Sequence, residues 1–164
     1  MTPEVHKFLE KHKSKIQGNV IEVGSLNVNG SVRDIVEVTI GVDLRKGKGV
    51  DLVCPCEELY KHFQPATFDA FVSTETLEHA EDWRGFVTAS WDLVREGGWI
   101  VMTMASLAKK RHAYPDDYWR MTHEEILKIY PCAEVVDLGK VSIGWVVQKI
   151  GDLGSLEFEP YRVP

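Results

Sequence analysis

The run Val20-Ile21-Glu22-Val23 is a short apolar segment interrupted by one acid. Gly24 closes it where a strand must turn sharply or approach a ligand closely. A second segment of the same kind ends in Gly41-Val42-Asp43-Leu44, so Asp43 stands 21 residues after Glu22. A strand-turn-helix-strand unit needs about this separation to bring the acidic end of its second strand beside the first glycine turn. The pattern then recurs. Short runs rich in β-branched residues cover 38–42, 50–53, 68–72 and 99–103, with helical or loop stretches between them at 31–37, 57–63 and 82–95. Strands alternating with helices predict an α/β protein with a parallel sheet. Within 82–95, Trp83, Phe86, Val87, Ser90, Trp91 and Val94 recur at helical spacing, and Gly97-Gly98 is the expected helix cap. Thr122 and Glu125 form a capping-box pattern ahead of Ile126. Residues 133–138 and 141–150 read as two strands joined by the tight turn Gly139-Lys140, a hairpin rather than another crossover.

The chain has 164 residues, which predicts one domain over 1–150, beginning with an amphipathic surface helix at 3–16. A tail over 151–164 is expected to pack loosely. Hydrophobic residues make up 44% and no apolar stretch approaches the ~20 residues of a membrane span, so no membrane partner is expected. The charged first sixteen residues do not read as a secretory signal, and a cytoplasmic location is the expectation. A net charge of −6 argues against nucleic acid as a partner. Three cysteines, Cys54, Cys56 and Cys132, read as reduced thiols. Cys54-Pro55-Cys56 lacks a second Cys or His pair at ligand spacing, so no metal is expected there.

The glycine turn and Asp43 together suit a nucleoside, with the carboxylate on a ribose. The loop Ser25-Leu26-Asn27-Val28-Asn29 lacks the clustered glycines that a pyrophosphate requires, which disfavours a nicotinamide-dependent oxidoreductase. Glu22 is poorly placed for phosphates and well suited to a cationic ligand.

Five stretches in order, Glu22-Val23-Gly24, Val42-Asp43-Leu44, Glu57-Glu58-Leu59, the run from Phe68 to His79 ending in Leu77-Glu78-His79, and Leu93 to Gly98, resemble the class I S-adenosylmethionine-dependent methyltransferases of the small-molecule type. The resemblance spans roughly residues 20–150. It implies a Rossmann-like fold with a seven-stranded, mostly parallel sheet in the order 3-2-1-4-5-7-6, whose seventh strand runs antiparallel as part of the C-terminal hairpin. It implies S-adenosylmethionine as cofactor, S-adenosylhomocysteine as product and a small-molecule acceptor. In such a site Glu22 would serve the amino-acid end of the cofactor, Gly24, Ser25 and Leu26 would pass close to it, and Asp43 would accept both ribose hydroxyls. Leu44, Cys54, Pro55 and Cys56 would border the adenine, and Thr74 and Glu75 would lie under the methionine part. Leu26 and Asn27 stand where the family loop has glycines, and Pro55 where it often has an aspartate.

Methyl transfer is an in-line displacement, so holding nucleophile and sulfonium in line with water excluded supplies most of the catalysis. For a hydroxyl acceptor a base helps, and His79, His112, Asp116 and Asp117 are the candidates, with Tyr118 and Arg120 as acceptor-orienting groups. The alternative for Arg120 is an ion pair with an acid. A different class of function is a non-catalytic cofactor-binding module, either a regulatory partner subunit or one half of a homo-oligomer.

Overall fold

The computed structural model describes residues 1–112 and 116–164; Pro115, read from the sequence as part of a connection, lies outside the described residues. Helix α1 (Pro3–His12) opens the chain, capped by the Thr2 side chain, which accepts from the Val5 amide. Strands β1 (Val20–Val23), β2 (Ile40–Asp43), β3 (Leu52–Val53) and β4 (Phe68–Thr74) follow. Helix α2 (Trp83–Asp92) leads into the long β5 (Val94–Ala105). The short β6 (Trp119–Arg120), helix α3 (His123–Ile129), the hairpin strands β7 (Glu134–Leu138) and β8 (Ser142–Gln148), and β9 (Tyr161–Arg162) complete the order.

Seven strands form one sheet in the order β3-β2-β1-β4-β5-β8-β7, parallel except for β8, which runs antiparallel to both β5 and β7. With the small β6 left out of the numbering, this is the expected 3-2-1-4-5-7-6. The sheet is buried on both faces. Ile21, Val23, Phe71, Ile100, Met102 and Trp145 join one apolar cluster, with α2 and α3. Their alternating neighbours Val20, Ala70, Val72, Val101 and Val146 join a second cluster under α1 with Val5, Phe8 and Leu9. This two-sided burial explains why β1 and β4 read as continuous apolar runs. It also places Glu22, between Ile21 and Val23, on the α1 face of a strand whose four residues are all buried.

Two stretches read as helix or loop resolve into 3-10 turns: Val32–Asp34, closed by a Ser31–Asp34 capping box, and Cys56–Lys61. Two other local expectations need correction. Helix α2 stops at Asp92, and Val94 already pairs with Phe68, while Trp99 pairs with Ala70. Gly97, with φ +78°, therefore serves an irregularity at the entry to β5 rather than a helix cap. The tail is not loose. Phe158 lies 5.1 Å from Trp83 between ring centroids, Arg84 donates to the carbonyls of Leu156 and Phe158, and β9 pairs with β6. Its Leu153, Leu156 and Phe158 are spaced too irregularly to show a period, yet each packs on the main core.

Candidate active site

The strand order reverses direction between β1 and β4, and open α/β sheets bind ligands at such a switch point, outside the carboxyl ends of the strands. A cleft of about 600 Å³ opens there. Its walls include Glu22 and Gly24 at the end of β1, Asp43 and Leu44 at the end of β2, and Thr74, Glu75 and Thr76 at the end of β4.

One end is made largely of backbone. Gly24 adopts φ +84°, and a Cβ there would overlap the Thr76 hydroxyl, so only glycine lets the turn pass. The Gly24 and Ser25 amides both donate to the Val42 carbonyl, tying the turn to β2. The Asp43 carboxylate accepts from the Leu26 amide at 3.1 Å and the Arg45 amide at 3.1 Å. One amide on each oxygen fixes its direction and leaves lone pairs for a ligand. Glu22 is 3% exposed and its Oε2 has no partner among the described residues. Burial raises its carboxyl to about 7 against the lowering influence of Arg33 and the Val32 amide, with Asp43 and Asp51 adding to the rise. Such a group is suited to a cation.

The other end is made of ionisable side chains. Glu75 follows β4 in a left-handed conformation, φ +50°, unusual for a non-glycine residue. Its Oε2 accepts from Lys109 Nζ at 3.1 Å and from the Ser142 hydroxyl at 3.1 Å. His79 lines the cleft, its Nδ1 is 2.8 Å from the Asp116 carbonyl oxygen, and its Nε2 is 3.1 Å from Nε2 of His112. Burial lowers the pKa of both histidines, with Lys109 adding to the fall in each, and favours neutral rings. Glu78 is fully buried behind them. Its Oε1 accepts from the Ala105 amide and its Oε2 is unpartnered among the described residues.

Of the residues singled out in the sequence, Glu22, Gly24, Ser25, Leu26, Asp43, Leu44, Cys54, Cys56, Thr74, Glu75, His79 and Tyr118 line the cleft, and Pro55 does not. Asp117 and Arg120 also fall outside it. They form a buried pair, Nη1–Oδ1 2.5 Å and Nη2–Oδ2 2.7 Å, and Asp117 also accepts from the His112 amide at 3.0 Å. Burial alone would raise the Asp117 carboxyl, but the hydrogen bonds from Arg120 and the His112 amide, with the charge of Arg120, hold it at about 2. A neutralised pair behind the wall orients the His112 loop and is not placed to touch an acceptor. His112 reaches the site only through His79. Sequence reading missed Met1, Val5, Thr76 and Phe86 in the wall. Val5 and Phe86 sat in amphipathic helix patterns, where periodicity marks a buried face without saying that the face also borders a cavity.

A seven-stranded sheet of this order with a cleft at its switch point defines the class I methyltransferase architecture. A family model described as "Methyltransferase domain" matches residues 28–102, from the loop after β1 into β5. Among solved structures, the 1,6-didemethyltoxoflavin-N1-methyltransferase of Burkholderia thailandensis, solved with 1,6-didemethyltoxoflavin and S-adenosylhomocysteine bound, superimposes with a TM-score of 0.65 at 15% identity, covering 91% of this chain and 77% of that one. The PH0226 protein of Pyrococcus horikoshii OT3 gives a TM-score of 0.68 at 16% identity, covering 90% and 89%. A SAM-dependent methyltransferase of Archaeoglobus fulgidus gives 0.66 at 13%, covering 88% and 93%. At these identities the likeness is one of fold. No curated protein matches in sequence. The fold is that of the class I S-adenosylmethionine-dependent methyltransferases, and the methyltransferase-domain model covers residues 28–102 of the chain. No helix among the described residues is long and apolar enough to cross a membrane.

Proposed function

We propose that the cleft binds S-adenosylmethionine and that the protein transfers its methyl group to a small-molecule acceptor. The observation that carries this reading is the pairing, at the switch point, of the Gly24 turn with the amide-oriented Asp43 carboxylate and the buried Glu22 carboxyl, whose Oε2 has no partner among the described residues. Those groups fit the cofactor's ribose and its cationic amino-acid end. Asp43 would accept from the ribose hydroxyls, Leu44 and Cys54 would border the base, and Gly24 would admit the backbone close to the ligand. The cofactor supplies a methyl carbon bonded to a positively charged sulfur, a good leaving group.

The protein's own part is positional. The β4 end, with Thr74 and Glu75, forms the floor between the two ends of the cleft, and His79 and Tyr118 line the wall where an acceptor would sit. Glu75 is held by Lys109 and Ser142, so that floor does not depend on the ligand for its shape. The Burkholderia thailandensis fold relative holds the small molecule 1,6-didemethyltoxoflavin, and the cleft's volume is of the size that accommodates a cofactor with a metabolite rather than a macromolecular surface.

Calorimetric titration with S-adenosylmethionine and S-adenosylhomocysteine tests the first half, with one site per chain expected. Turnover to S-adenosylhomocysteine across a panel of hydroxyl, amine and carbon acceptors tests the second. Binding without turnover on any acceptor would favour the non-catalytic module, and absence of binding would overturn both.

A further inference from the structure

The acceptor end of the cleft holds an arrangement that positioning alone does not explain. A Glu78 carboxylate oxygen and one nitrogen from each of His79 and His112 lie within 4.8 Å of one another. The Asp116 carbonyl oxygen can only accept, so His79 Nδ1 carries the proton and its Nε2 presents a lone pair. His112 Nδ1 lies 3.0 Å from Asp117 Oδ2, although not in line for a hydrogen bond. The two Nε2 atoms are 3.1 Å apart, so in one tautomer His112 Nε2–H donates to the His79 lone pair, and in the other both lone pairs face the same point. A cation bound by both rings takes the place of that shared proton.

The surrounding charges point the same way. Asp117 is balanced by Arg120, and Glu75 by Lys109. Glu78, fully buried, has no ion-pair partner among the described residues and one oxygen without any partner. The backing of the two imidazoles, one by a carbonyl and one by a carboxylate, is the arrangement that orients metal-bound histidines.

We propose that Glu78, His79 and His112 form a binding site for a divalent transition metal ion of the zinc type, with an open coordination position facing the cleft. Two nitrogens and one carboxylate oxygen are a ligand set for such ions, and a site with three protein ligands leaves a position for water or substrate. Ligand atoms around tetrahedral zinc are ~3.4 Å apart, so the two imidazole nitrogens, 3.1 Å apart, already stand near that spacing and the carboxylate must close by up to about 1.4 Å from the 4.8 Å bound. The open position takes an oxygen or nitrogen of the acceptor, orienting its lone pair and favouring its deprotonated form. That role rests on the methyl-transfer reading; the site itself does not. The pairing was illegible in the sequence because 33 residues separate His79 from His112.

The test is titration of chelator-treated protein with Zn²⁺, and with Co²⁺ read by its visible absorption. One equivalent per chain with nitrogen-ligated cobalt bands is expected. His112→Gln and Glu78→Gln should each weaken binding at least tenfold while retaining the wild-type circular dichroism spectrum; His123→Gln, on the remote face of α3, should bind as wild type. If Glu78→Gln does not fold, His112→Gln decides alone, because its ring is partly exposed and its removal leaves Glu78 paired to Ala105. Absence of binding in the wild type, or unchanged binding in His112→Gln, would overturn the site. Parallel titration with S-adenosylmethionine separates the two readings: cofactor binding without metal binding removes only the metal site, and metal binding without cofactor binding removes only the methyl-transfer role.

Discussion

The two ends of the cleft hold charge in different ways. At the β1–β2 end, Asp43 is oriented by backbone amides and Glu22 is left without a counter-charge. At the β4–β5 end, Glu75 is matched by Lys109 and Asp117 by Arg120, and among the described residues Glu78 has no ion-pair partner. The first end is set by strand register, since Glu22 lies opposite Gly41 on one side and Val72 on the other. The second depends on side chains brought together from distant loops. Evolution of a new acceptor can rework the second without disturbing the first, because few of its contacts use the sheet backbone.

The largest effect should come from breaking the paired end. Arg120→Met strands a buried carboxylate, and unfolding by denaturant should show a loss of about 3–5 kcal/mol. The double change Asp117→Asn with Arg120→Met should recover most of it. A loss of turnover with unchanged stability would instead return these residues to a direct role with the acceptor.

Next in size is Asp43→Ala at the backbone-built end. Hydrogen bonds to charged groups contribute about 1.5–3 kcal/mol, so cofactor affinity by calorimetry should fall roughly tenfold to a hundredfold. Folding stability should change little, because the Leu26 and Arg45 amides lie where water can replace the carboxylate. Gly24→Ala is smaller again. A non-glycine residue at φ +84° costs about 1–2 kcal/mol, and the displaced Thr76 hydroxyl should narrow the cleft, lowering both the melting temperature and cofactor affinity.

These two ends also differ in how far the sequence announced them. Val20–Val23, Gly24 and Asp43 carry their geometry locally, as a buried strand, a turn that only glycine fits and a fixed spacing, so the fold and the shape of the β1–β2 end were legible. The order of the sheet followed from the same alternation. Misreading and ambiguity arose where local signals competed. Gly97-Gly98 has the composition of a helix cap, but Val94 pairs with Phe68 before the chain reaches it, so the glycine's positive φ serves the strand. Ser31-Val32-Arg33-Asp34 satisfies a capping box and then stops after one turn, because Ile35 and Val36 turn into the α1-side core. At the acceptor end, Asp117 and Arg120 were named for the chemistry of their side chains, and only burial reveals that each is occupied with the other.

The smallest expected effect is the most direct probe of the unpaired end. Glu22 titrates near 7 in the folded protein and near 4.5 when unfolded. Between those values the folded chain holds a proton that the unfolded chain has released, so stability falls as pH rises through the window. For this one group the loss from pH 6 to 8 is roughly 1.4 kcal/mol. Arg33 opposes the rise, and Asp43 and Asp51 reinforce it. Glu22→Gln should therefore remove this part of the slope while leaving the rest of the pH profile in place. A cationic ligand at Glu22 favours the ionised form, so cofactor affinity should rise with pH over the same interval, by about tenfold from pH 6 to 8, and the rise should vanish in Glu22→Gln. An affinity that is flat with pH in the wild type, beside a stability slope that the variant removes, would mean that Glu22 is an unpaired acid of the fold and that the cation is held elsewhere in the cleft.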